Sequence, residues 1–183
     1  MQSVELLLDA ATTQRVVAQW DALAQAGLPS QAQHRGATNA PHITIGLAIA
    51  IDEEAEVALS ALPACLPLTV HLGPPLLFGG KHTVVLARMV LLTRDLLDLH
   101  ASVTQALRGC PGQVEHLAPS RWVPHVTLAR RLKVEALPDA ITVLRRHEER
   151  GSSETDAPRA ETPHAHAAEL RRWDSEAKRT WSL

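Results

Sequence analysis

Aromatic side chains are scarce in this chain: Trp, Phe and Tyr make up 3% of its 183 residues, with one Phe and no Tyr. A surface that stacks several bases of a single strand needs a row of such rings, so a nucleic-acid platform of that kind is disfavoured. Cysteine is nearly absent too. Cys65 and Cys110 are far apart and in no ligand-like spacing, which argues against a disulfide framework or a cysteine zinc site. No apolar run reaches the ~20 residues that cross a bilayer, and MQSVELLLD lacks the features of a signal peptide. No membrane association is expected, and the cytoplasm is the default location. Positive charge is not concentrated either. The formal net charge is -2, and basic residues cluster only as pairs such as Arg130-Arg131, Arg145-Arg146 and Arg171-Arg172. Gripping long RNA through many phosphates calls for a basic stripe. A phosphate-bearing partner is therefore expected to be small.

What is present suits an ordinary globular protein, 45% apolar and 21% charged, with length for one compact unit or two small lobes on a shared core. A monomer is expected. Val4 to Leu8 reads as a strand, and Thr12 or Thr13 offers an N-cap for a helix carrying Val16, Val17, Trp20 and Leu23 until Gly27. A polar loop leads to PHITIGLAIAI, a strand opened by Pro41, and Asp52 can cap a helix that stops near Pro63. The order then recurs. Thr83 to Leu91 reads as a strand, and Thr93 caps a helix bearing Leu96, Leu99, Val103 and Leu107 up to Gly109. WVPHVTLAR comes next as a strand, then a helix from about Val134 to Arg146.

His42 and His125 are 83 residues apart, and Gly27 and Gly109 are 82 apart. That offset predicts two related lobes. Leu68 to Leu72 would extend the first sheet, and a hairpin of Ala167–Trp173 and Arg179–Leu183 the second. Residues 147–165, polar and without apolar periodicity, read as a flexible insertion in an otherwise single bilobal domain spanning 1–183.

The chemistry lies in the repeated Pro-His-x-Thr. On a strand, residues i and i+2 share a face roughly 6.5–7 Å apart. His42 and Thr44 therefore point one way, and Ile43 and Ile45 the other. His125 and Thr127 repeat this against Val126 and Leu128. Two such faces meeting across a cleft suit in-line displacement at phosphorus. One imidazole takes a proton from water while the other gives one to the departing oxygen. The Thr hydroxyls donate to the non-bridging oxygens. The scheme needs neither metal nor cofactor. About one His-x-Thr would arise by chance in a chain with ten histidines, so the weight rests on the matched pair.

PHITIGLA and WVPHVTLAR resemble the two signatures of the 2H phosphoesterases, the superfamily of bacterial 2'-5' RNA ligase-like proteins and cyclic phosphodiesterases. The resemblance implies an α+β, bilobal, pseudo-twofold fold in which two mainly antiparallel sheets face a central cleft with helices outside. It implies His42 and His125 as the catalytic pair, the second as general base and the first as general acid. Thr44 and Thr127 would contact phosphate, with Arg130 beside it. The expected reaction is hydrolysis of a small cyclic nucleotide phosphodiester such as a 2',3'-cyclic phosphate. A nucleotide-binding module without turnover and an enzyme acting on RNA ends are the alternatives.

Trp122 or Phe78 could stack on a base, and Trp122, just ahead of the second motif, is the better placed; core packing is its other reading. His164 and His166 in PHAH read as a surface pair without a third metal ligand. GPPLLFGGK is glycine-rich but lacks phosphate-loop spacing.

Overall fold

The structure, a computed structural model, describes residues 1–153 and 165–183. In chain order its elements are β1 (Gln2–Leu8), α1 (Ala10–Gln25), β2 (His42–Ala48), α2 (Glu53–Ser60), β3 (Leu68–Val70) and β4 (Leu72–Gly79). They continue with β5 (Thr83–Val90), α3 (Arg94–Ala106), β6 (His125–Lys133), α4 (Leu137–Ser153), β7 (Ala165–Asp174) and β8 (Arg179–Ser182). Among the described residues the strands form one curled antiparallel sheet in the order β3-β7-β1-β2-β6-β5-β4, with β8 also paired to β7. The two expected sheets are thus halves of one sheet, joined where β2 meets β6 at Ile43 and Val126.

The order is nearly palindromic about that seam: β2 mirrors β6, β1 mirrors β5, and β7 mirrors β4. It also reveals an exchange. β4 comes after the first half in sequence yet pairs with β5, and β7 comes after the second half yet pairs with β1. The C-terminal hairpin therefore extends the first sheet half, not the second as the sequence suggested. The segment expected as one strand over Leu68 to Leu72 divides: β3 pairs with β7, and β4 departs to the other edge. Pro74 and Pro75 lie within β4. An edge strand tolerates them because its outward side needs no N–H donors.

Helices exchange in the same manner. α1 packs against β6 and α4, whereas α3 packs against β2 and α2. Val16, Trp20 and Leu23 of α1 and Leu96, Leu99 and Val103 of α3 are buried on the side of the sheet to which Ile43, Ile45, Val126 and Leu128 point. Fully burying one such aliphatic chain contributes about 1.5–3 kcal/mol, so this layer anchors the motif strands from behind. At Gly46 an added Cβ would stand 2.7 Å from Leu107 Cδ1 and 2.8 Å from Val103 Cγ1. The missing side chain is what lets α3 approach β2 so closely.

Local signals explain most element ends. Asp52 and Thr93 cap α2 and α3 as expected. For α1 the cap is Asp9, not Thr12 or Thr13: its carboxylate accepts from the Thr12 N–H and hydroxyl, both at 2.8 Å, and from the His166 N–H at 2.7 Å. Burial works to raise the Asp9 pKa, but these donors outweigh it and hold it at about 2. α4 continues past Arg146 to Ser153, so the start of the expected insertion is helical. Residues 154–164 of that insertion, including His164, lie outside the described residues, and Ala165 opens β7.

Candidate active site

Proline prepares each motif. The residue before a proline favours extended backbone, and the carbonyls of Ala40 and Val123, just ahead of Pro41 and Pro124, turn back onto the histidine rings. Nδ1 of His42 lies 2.8 Å from the Ala40 oxygen, and Nδ1 of His125 lies 2.8 Å from the Val123 oxygen. A carbonyl only accepts, so each Nδ1 carries a proton, which leaves Nε2 as the ring atom available for proton transfer. The two rings are held in the same way.

The β2–β6 register sets His42 across from Thr127, and Thr44 across from His125, on one face. All four side chains are half-buried, while the residues between them are buried on the opposite face. Both strands then carry an extra residue. Glu5 pairs with Thr44 but Val4 with Gly46, leaving Ile45 unpaired, and Ala87 pairs with Thr127 but Leu86 with Ala129, leaving Leu128 unpaired. A bulge of this kind turns the residues beyond it onto the other face. Leu47 and Arg130, which plain alternation would turn away, therefore line the same cleft as His42 and Thr44. That cleft encloses about 340 Å³. His125 and Thr127 adjoin it across the seam and are not part of its lining.

Around His42 the wall is polar. Glu5, 4% exposed, accepts from Ser3 Oγ at 2.8 Å and from Arg171 Nε at 2.8 Å, and one of its oxygens stands 3.7 Å from His42 Nε2. Arg171 also donates to the Thr38 carbonyl at 3.0 Å, tying the loop before β2 to the site. Beside His125 the neighbour is aromatic. The Phe78 ring lies 4.5 Å from the imidazole, centroid to centroid. Burial lowers the His125 pKa below its usual value against the pull of the Val123 hydrogen bond, and the charges of His42, Arg130 and His116 lower it further. At neutral pH this ring is therefore uncharged, with Nε2 ready to accept a proton.

Trp122 departs from the expectation of a stacking surface. It is 6% exposed, stacks on the buried His100 ring at 4.0 Å, and donates its indole N–H to the Thr44 carbonyl at 3.1 Å. Its ring is part of the core, so it supports the first motif from behind. Trp20 does the same for the second, donating to the Thr127 carbonyl at 3.0 Å. Phe78, the weaker of the two expected aromatics, is the one that touches a site histidine. Sequence reading missed Glu5, Arg171 and Trp20. A charged residue in the middle of the apolar run VELLL was the available signal for Glu5. Among the described residues no three His, Cys, Asp or Glu side chains gather as metal ligands, and no helix is long and apolar enough to cross a membrane.

A curled antiparallel half-barrel with four helices is the fold of the 2H phosphoesterases. The chain belongs to the 2'-5' RNA ligase superfamily, whose family description matches residues 11–172. Among solved structures, Escherichia coli LigT in apo form is similar over 100% of this chain and 93% of its own, at 19% identity and a TM-score of 0.53. E. coli LigT complexed with 3'-AMP covers 100% and 92%, at 16% identity and 0.53. Usb1 of Kluyveromyces marxianus covers 100% and 97%, at 14% identity and 0.50. At these identities the likeness is one of fold. No curated protein sequence matches this chain.

Proposed function

We propose that this protein hydrolyses a small cyclic nucleotide phosphodiester, such as a 2',3'-cyclic phosphate, to a monoester without a metal ion. The observation that carries the reading is the matched pair of imidazoles on one face of the sheet, each with Nδ1 bound to the carbonyl two residues earlier, which leaves Nε2 for proton transfer. His125 takes a proton from water as the water oxygen bonds to phosphorus. The bond from phosphorus to one ribose oxygen breaks, and His42 returns a proton to that oxygen. Water has then added across one P–O bond, and the two rings have exchanged protonation states. The hydroxyls of Thr44 and Thr127 donate to the non-bridging oxygens, and Arg130 supplies positive charge at the cleft side of the phosphate. The product would be a nucleoside monophosphate, the kind of ligand with which LigT was crystallised as 3'-AMP.

The polar cleft and the small negative net charge favour a small substrate over long RNA. The test is a panel of 2',3'-cyclic nucleotides incubated with chelator present and resolved by chromatography. Monoester product is expected with the wild type and not with His42→Ala or His125→Ala. Undiminished turnover in either variant, or loss of wild-type turnover on adding EDTA, would overturn the reading. Calorimetric binding of nucleotides without product would instead identify a binding module.

A further inference from the structure

The two halves of the site match at the motifs and differ one strand further out. Glu5 on β1 pairs with Thr44, and its mirror position on β5, paired with Thr127, is Ala87. Arg171 on β7 pairs with Glu5, and its mirror on β4, paired with Ala87, is Leu76. A buried carboxylate–guanidinium pair thus stands on one side of the seam, and Ala and Leu hold the equivalent places on the other. Directly paired residues share a face, so Glu5 lies on the His42 side of the sheet.

Each of its oxygens has a defined use. Oε2 accepts from Arg171 at 2.8 Å, and Oε1 accepts from Ser3 Oγ at 2.8 Å while facing His42 Nε2 at 3.7 Å. Arg171 is itself fixed to the Thr38 carbonyl at 3.0 Å. A carboxylate held from two sides is fixed in orientation, with Oε1 toward the imidazole. Among the described residues the matching place beside His125 is held by Ala87, and the ring's neighbour is Phe78.

We infer that Glu5, fixed by Arg171 and Ser3, is a positioning residue that commits His42 to proton donation and so gives a nearly symmetric site its direction. This rests on the phosphodiesterase reading above. Glu5 Oε1 stands 3.7 Å from His42 Nε2, beyond hydrogen-bond reach, so its charge acts on the ring from the side and the Nε2 proton stays available to the departing oxygen; Glu5 itself touches neither water nor phosphorus. His125, uncharged and with no carboxylate paired beside it among the described residues, is left as the base.

General-acid assistance is needed only when the departing oxygen is strongly basic, so the test varies the leaving group. Wild type, Glu5→Gln, Glu5→Asp, His42→Ala and His125→Ala are assayed on a 2',3'-cyclic nucleotide and on a nucleoside 4-nitrophenyl phosphodiester, whose aryl oxide departs unprotonated. Glu5→Gln keeps the hydrogen-bonding shape without the charge. On the cyclic nucleotide its kcat should fall on the order of 10²-fold with KM held. Glu5→Asp should recover part of the loss. On the aryl ester, Glu5→Gln and His42→Ala should stay near wild type while His125→Ala stays inactive. If wild type does not turn over the aryl ester, the split between kcat and KM on the cyclic nucleotide decides alone. An unchanged kcat in Glu5→Gln, a loss confined to KM, or equal losses on both esters would overturn the inference while leaving the phosphodiesterase reading intact. A wild type inactive on both esters would overturn that reading, and the inference with it. Should Glu5→Gln fail to fold, the double variant Glu5→Ala/Arg171→Leu removes both buried charges and reproduces the Ala–Leu pair of the other half. The same outcomes apply to it.

Discussion

The sheet faces around His42 and around His125 share a register, a bulge, an upstream proline and an indole donor behind the threonine, yet their surroundings differ in kind. The first carries Ser3, Glu5 and Arg171 beside a loop that contributes Thr38; the second carries Phe78 against the ring. What is duplicated is the device that aims the side chains, and what has diverged is the dielectric and charge around each ring. Backbone geometry can be copied between halves without fixing the acid–base role, which depends on the neighbours.

The strongest way to break this comparison is to remove one histidine at a time. His42→Ala and His125→Ala should each lower kcat/KM by about 10²–10⁴, measured on a cyclic nucleotide. A large loss from one and none from the other would mean that only one half reacts. The pH profile sharpens the contrast. Burial depresses the His125 pKa below the ordinary 6.5, and a base must be unprotonated. The acid limb of kcat/KM should therefore lie below that value, with activity lost as pH falls through the lowered pKa. Phe78→Ala should admit water to the ring and move the limb upward. A limb unmoved by Phe78→Ala would separate the aromatic neighbour from the titration.

Next in size, Trp20→Phe and Trp122→Phe each strand a motif carbonyl without its indole donor. Leaving a buried acceptor unsatisfied costs about 1–3 kcal/mol, readable as a fall in unfolding free energy in urea. Similar values for the two variants would support equivalent anchoring from behind, and unequal ones would extend the divergence into the core. The smallest effect concerns the Asp9 cap. Asp9→Ala should cost about 1 kcal/mol at neutral pH. The folded pKa of about 2 lies below the unfolded 3.8, so this contribution is full above the unfolded value and fades as pH falls towards the folded one. Wild type and variant should therefore converge in stability in strong acid.

Much of the site was legible in the chain. Strand alternation and the repeated Pro-His-x-Thr located the four central residues, and the 83-residue offset announced the mirror. The rest depended on tertiary pairing. Arg130 reaches the cleft only because a bulge breaks the alternation at Leu128, and no composition rule marks that extra residue. Glu5 and Arg171 are far apart in sequence and meet through the β1–β7 register. β4 was not anticipated because GPPLLFGGK was weighed only as a glycine-rich stretch, and an edge strand accommodates its two prolines. Trp122 stood close to a motif in sequence, but its indole turned inward, since a large ring gains more from core contact than from a solvated wall.

The exchange of β4 and β7 between the halves bears on how the sheet is completed during synthesis. The first half emerges from the ribosome with β1 paired on one side only, and its other neighbour arrives with residues 165–174. Arg171, which anchors Glu5, comes with that late strand. A nascent or truncated chain can thus hold both histidines and still lack the finished wall beside one of them. Such contacts between distant parts of the sequence form slowly, and the unpaired edge of β1 offers a docking place for chaperones or for aggregation until they do.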